Sequence, residues 1–283
     1  LGCFCKKKKN QKQAFKRKKI EKMKLGLVLS GGGARGVAHL GILKALEEMG
    51  VHFSLVSGTS AGSIVGALYA YGYKPDEIFS IIKTLSIFKS VRPAWTWAGL
   101  LRMDGLRDLL LKHLPENDFA SLKLPLTVAA TEIRKGRIEY FDKGELVPAI
   151  LSSCSIPAVF NPMSFNGGLY VDGGLFDNLP VRPIRDKCDK IVGLHCNHIS
   201  QDFDPNSLRT VVERSLLMAI NANTLISKGL CDVFIEPPHL SRFGSFDIGK
   251  AQEIFDISYQ FTKANFLPHH FGVGMIDIEK PAS

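Results

Sequence analysis

The run LGLVLSGGGARGVAHLGILKALEEMG, residues 25–50, decides how the rest of the chain is read. Leu25 to Leu29 is a continuous apolar stretch, the pattern of a strand buried on both faces of a parallel sheet. A glycine-rich loop follows, and then Val37–Met49 reads as a helix. Ile42, Leu43, Leu46 and Met49 share one side of it, Lys44, Glu47 and Glu48 take the other, and Gly50 stops it. VHFSLVS, residues 51–57, is a second strand; GTSAG, 58–62, is a turn; SIVGALYAYG, 63–72, is helical again. Strand, helix, strand, helix with short connections implies a right-handed parallel crossover and helices laid on the sheet faces.

Working outward, Pro75–Leu85 and Gly105–Leu114 read as helices, and LPLTVAATEI (124–133) and GRIEYF (136–141) as strands. Leu146–Ser153 is helical, GLYVDGG (168–174) a short strand ending in a turn, and KIVGLHC (190–196) another buried strand. An amphipathic helix over 206–229, the strand DVFIEPP (232–238) and a helix over 249–266 complete the chain. No repeat or linker divides it. The expectation is one α/β domain over 24–283, a mostly parallel central sheet flanked by helices in three layers. Its core motifs fall in 25–185, and C-terminal helices and a strand in 186–283.

The net charge of +9 is local. Residues 1–24 hold 11 of the 36 Lys and Arg and one of the 27 acids, so the remainder, with 25 basic and 26 acidic residues, is near neutral. No nucleic-acid surface is expected. Cys3 and Cys5 beside the lysine run suit an acylated polybasic anchor, whereas a lipoprotein signal would need an apolar stretch that is missing. The reading adopted is that Met23 is the natural start and that 1–23 is an unstructured or non-native tail, which does not decide the function. The six cysteines are scattered without a C-x-x-C repeat, as reduced thiols of a cytoplasmic protein would be. His195-Cys196-x-His198 has no partner cluster at zinc-site spacing, so neither metal nor cofactor is expected. Residues 49–73 carry no Lys, Arg, Asp or Glu, but SGTSAGS at their centre fits a turn better than a membrane span.

The loop SGGGARG contains G-x-G-x-x-G at Gly31, Gly33 and Gly36, which suggests a dinucleotide. That use needs an acid at the end of the second strand to hold the ribose. Val56-Ser57-Gly58-Thr59-Ser60 offers none. Arg35-Gly36 stands where a phosphate loop needs Lys-Ser/Thr. The converging N–H groups are left to serve a transient oxyanion beside Ser60, a contribution worth ~3–4 kcal/mol per donor. Gly58-Thr59-Ser60-Ala61-Gly62 is G-x-S-x-G between strand and helix, the setting of a nucleophile elbow. Its serine needs a base. An α/β-hydrolase order would use an Asp and then a His among His195, His198 and His239, none of which has a glycine-rich setting. Asp172, followed by Gly173 and Gly174, can be approached closely and can itself act as a base. Asp142 and Asp177 read as turn or helix-cap residues.

Gly31-Gly32-Gly33-Ala34-Arg35-Gly36, Gly58-Thr59-Ser60-Ala61-Gly62 and Asp172-Gly173-Gly174, in that order, resemble the patatin-like phospholipase family. The likeness spans roughly residues 24–260 and is nearest to compact bacterial members related to the neuropathy target esterase catalytic domain. It implies a Ser60–Asp172 dyad without histidine or metal and an oxyanion hole in the glycine loop, with Gly32 and Gly33 as donors. Arg35 would position that loop or a substrate phosphate. The implied substrate is a phospholipid or lysophospholipid. The alternatives are a histidine-dependent esterase and a lipid-binding protein without turnover. SIFKSVRPAWTWAGLLRM (86–103), with Trp95 and Trp97 among Lys89, Arg92 and Arg102, reads equally as a lid or as a loop over the core. Peripheral contact at the inner face of a membrane and a homo-oligomer are both compatible with the chain.

Overall fold

The computed structural model describes residues 23–84, 93–96, 99–101, 103–201, 203–245 and 247–273. The basic tail 1–22 and the larger part of 86–103, read as a lid or as a loop over the core and including Trp97, lie outside them. Along the chain run β1 (Leu25–Leu29), α1 (Ala38–Glu48), β2 (Leu55–Thr59), α2 (Ala61–Tyr71), α3 (Pro75–Thr84), β3 (Pro93–Thr96), β4 (Gly99–Leu101), α4 (Asp104–His113) and β5 (Leu126–Glu132). Then follow β6 (Arg137–Phe141), α5 (Leu146–Ser153), β7 (Met163–Phe165), β8 (Gly168–Asp172), α6 (Gly174–Asp177), α7 (Arg182–Arg185), β9 (Lys190–Leu194), α8 (Leu208–Lys228), β10 (Val233–Ile235) and α9 (Ala251–Asn265).

Eight strands form one sheet in the order β10-β9-β1-β2-β5-β8-β7, with β6 also paired to β5. β10, β9, β1, β2 and β5 are mutually parallel, and β6, β8 and β7 enter antiparallel. β3 and β4 form a separate antiparallel hairpin within residues 86–103.

The apolar run of β1 is explained by the two faces it must satisfy. Leu25, Leu27 and Leu29 join the large core built with α1, α2, α3 and α9, while Val28 faces Leu179, Val181 and Ile184 on the other side. The alternation is that of any strand, and both faces are covered, so no polar residue is tolerated on either. β1 and β2 are central neighbours, paired Leu29 to Gly58, so the glycine loop and the elbow leave the sheet side by side.

The helices match their expected spans within a residue or two, apart from a 3-10 turn over Gly33–Val37 that precedes α1. β7, α6 and α7 were not anticipated; three or four residues are too few to show a period.

Candidate active site

A single residue, Ser60, turns β2 into α2. Its backbone has φ 51° and ψ −125°, a left-handed conformation that costs a non-glycine residue ~1–3 kcal/mol. Surrounding contacts hold it there. The Ser60 N–H donates to Ser153 Oγ at 2.7 Å, and that hydroxyl donates in turn to Ala129 O at 2.6 Å. Ser63 Oγ donates back to Ser60 O at 2.6 Å. The second glycine of the elbow is needed for proximity: a Cβ on Gly62 would lie 2.4 Å from Leu29 O, because the first turn of α2 presses on the end of β1. Ser60 thus stands at a helix N-terminus, where the backbone dipole favours negative charge.

Asp172 reaches Ser60 by way of β5. That strand overruns β2, since Thr59 pairs with Ala129 while β5 continues to Glu132. β8 runs back along the overhang, Tyr170 opposite Glu132 and Asp172 opposite Ala130, so it ends level with the elbow. The Asp172 N–H donates to Ser155 O at 2.9 Å, and Asp172 O accepts from Thr131 Oγ1 at 3.0 Å. Burial pushes the carboxyl up to about 6, while the Ser60 hydroxyl beside it and the Gly174 N–H, 2.8 Å from Oδ1, pull it back.

The glycine loop lies against the elbow, where a Cβ on Gly31 would come 3.1 Å from Ser60 Cβ. Gly31 N–H donates to Asn178 O, Ala34 N–H to Ser245 O and Arg35 N–H to Gly32 O. The N–H groups of Gly32 and Gly33 have no partner among the described residues. Gly33 takes φ +57°, and a Cβ there would lie 2.3 Å from Ser245 O. Gly36 sits against Ala61, behind the elbow. Arg35 is buried and its Nε donates to Phe243 O at 2.6 Å.

Residues 27–185 match the family model described as patatin-like phospholipase. The chain belongs to that family. This patatin-like chain is also 35% identical over 164 residues to an uncharacterized NTE family protein of Mycobacterium bovis, covering 57% of this chain and 45% of that protein. It is 28% identical over 280 residues to a protein named lysophospholipase NTE1 from Kluyveromyces lactis, covering 87% of this chain and 19% of the relative. It thus spans less than half the length of these curated relatives. Among solved structures, VipD of Legionella pneumophila shares the fold, with TM-score 0.50, 17% identity and coverage of 86% of this chain and 66% of that one.

The patatin-like site has no histidine bonded to Ser60 or Asp172. His195 is buried with Nδ1 2.6 Å from Glu236 Oε1, His198 meets the same carboxylate, and His239 is exposed in a 3-10 turn. Among the described residues no group of three or more His, Cys, Asp or Glu could hold a metal.

Asp177 does take a backbone N–H, that of Leu179 in the turn after α6, but it is also a buried carboxyl that accepts from Tyr140 Oη at 2.6 Å, and burial pushes it up to about 6. Its carbonyl accepts from Thr59 Oγ1, so it braces the elbow from below. Asp142 does lie in the exposed turn after β6.

Sequence reasoning missed the supports of the glycine loop. Gly31 O accepts from Asn197 Nδ2 at 2.8 Å and from Cys196 Sγ at 3.4 Å. His39 Nε2 lies 2.8 Å from Ser30 O, and burial holds this imidazole down to about 4, hence neutral. Their one signal in sequence was the polar HCN directly after the buried β9.

Proposed function

We propose that the protein is a serine acyl hydrolase that cleaves carboxylic ester bonds of phospholipids or lysophospholipids through Ser60 and Asp172. The observation that carries the reading is the strained Ser60 facing a buried Asp172, with the Gly32 and Gly33 N–H groups of the adjoining loop without a partner among the described residues. At neutral pH a carboxyl with a pKa of about 6 is mostly ionised, yet basic enough to take a proton as the serine attacks.

Ser60 Oγ attacks the ester carbonyl and gives its proton to Asp172. The Gly32 and Gly33 N–H groups hold the oxyanion, and Asp172 returns the proton to the departing alcohol or lysophospholipid. Water, deprotonated by Asp172, then attacks the acyl-serine; the acyl–Oγ bond breaks, Asp172 returns the proton to Ser60 Oγ, and the fatty acid leaves. The family match and the relative named as a lysophospholipase support the substrate class.

The test compares wild type, Ser60→Ala and Asp172→Asn on phospholipids, lysophospholipids and short acyl esters with chelator present, reading free fatty acid. Wild type is expected to release it and both variants to lose at least ~10³-fold, the scale seen when a nucleophile or its partner is removed. Retention by Asp172→Asn, or loss in a His195, His198 or His239 variant that remains folded, would favour the histidine-dependent esterase. No release from any ester, with Ser60 unlabelled by a fluorophosphonate probe, would favour lipid binding without turnover.

A further inference from the structure

α8 is inside out. A surface helix ordinarily turns an apolar stripe inward and polar residues outward. Here the inward side carries a polar, hydrogen-bonded patch beside the half-buried Leu217 and Ile220. Asn223 Oδ1 accepts from Asn178 N–H at 3.0 Å, Asn223 Nδ2 donates to Gly174 O at 3.0 Å, and Thr224 Oγ1 pairs with Asn178 Nδ2 at 3.3 Å. The outward side is apolar: Leu208 is 79% exposed, Met218 57% and Leu225 68%, with Val212 and Ile226 exposed beside them. The arrangement is stable only if something covers that side, since leaving so many aliphatic side chains in water forfeits ~1.5–3 kcal/mol for each that could be buried.

The spacing says what covers it. Leu208, Val211, Ser215, Met218, Ala222 and Leu225 recur at intervals of three and four, the 3.5-residue repeat of a seam between paired helices. Ser215 and Ala222 alternate with the larger Val211, Met218 and Leu225, leaving the holes into which a partner's side chains fit. No seam position is charged. No helix among the described residues is long and apolar enough to cross a membrane.

We propose that α8 pairs with α8 of a second copy of this chain, making a two-fold dimer. The area suffices. A 21-residue helix is ~31 Å long and ~10 Å across, so its outward half offers about 500 Å², and two copies bury about 1,000 Å², the level a specific interface needs. Phe176 and Leu230, both exposed next to the helix, add to it. A self-complementary patch of this kind closes on itself and does not propagate.

The test is sedimentation velocity on the full chain, wild type against Met218→Asp/Leu225→Asp, with circular dichroism as the control for folding. Wild type is expected at twice the chain mass of 31.2 kDa and the variant at the monomer mass, with an unchanged spectrum and melting that remains cooperative. A wild type that stays monomeric at ~100 µM overturns the proposal, since a specific dimer is expected to populate at that concentration. So does a folded variant that remains dimeric, which would place the contact elsewhere. A monomeric wild type that floats with phosphatidylglycerol vesicles, and a variant that does not, would assign the apolar side to lipid.

Discussion

Burial raises Asp172 to about 6, and the sign of that shift makes activity and stability move in opposite directions with pH. Folded Asp172 keeps its proton up to about 6, whereas the unfolded chain releases it near 3.8. Between those values the folded state binds more protons, so this group's contribution to stability falls as pH rises and the penalty is complete above about 6. A base must be ionised, so kcat/KM, which reports the free enzyme, should rise through about pH 6 to a plateau. Asp172→Asn should melt above wild type at pH 8 and level with it at pH 4, in thermal scans followed by circular dichroism. A rate flat from pH 5 to 7 would remove Asp172 from the role of base. Asp177→Asn should leave the midpoint near 6, because that carboxyl meets Tyr140 and not Ser60.

Asn197 is the other residue with a specific expectation. The peptide joining Gly31 and Gly32 is planar and trans, so its carbonyl and its N–H point in opposite directions. Holding Gly31 O from behind therefore aims Gly32 N–H forward. Asn197→Leu should lower kcat on the best ester roughly 10–100-fold, a fraction of the ~10²–10³ that follows outright loss of a donor, and leave KM within about two-fold. An equal rise in KM would make Asn197 a packing residue only.

At the scale of elements, the crowding of α2 on β1 limits the elbow. Gly62→Ala would place a methyl 2.4 Å from a backbone carbonyl that cannot turn away. Helix or strand must shift, so the variant should lose ~1–3 kcal/mol in denaturant unfolding and activity with it. The elbow, the glycine loop and the flanking strand and helix were legible because each is continuous in sequence and its glycines mark the turns. α5 was legible to the residue for the same reason. The direction of β8 was not. A period of two says that GLYVD is a strand but not which neighbour it joins or which way it runs, and here the antiparallel return along β5 is what delivers Asp172 to Ser60. Ser153, Asn197 and Ser245 were illegible too, because their contacts with the elbow and loop span 93, 166 and more than 200 residues.

At the scale of the whole molecule, the family match ends at residue 185 and the sheet does not. β9 flanks β1 in the middle of the sheet, α9 packs against α1, and α8 holds the turn after Asp172. A chain cut after residue 185 is expected to show no cooperative thermal transition and no ester hydrolysis, although it keeps every motif residue. Cooperative melting of that piece would show the C-terminal part to be an addition to a fold complete without it.

The seam between the glycine loop and Phe243–Ser245 bears on portability. The loop is fastened at Ala34 and Arg35 to a stretch of chain that carries no motif of its own. A graft of the three motifs into another α/β scaffold would carry the nucleophile, the acid and the glycines and leave the fastening behind. The transplant would have to include a foreign strap against Ala34 and Arg35, or its oxyanion donors would be free to turn away from the ester.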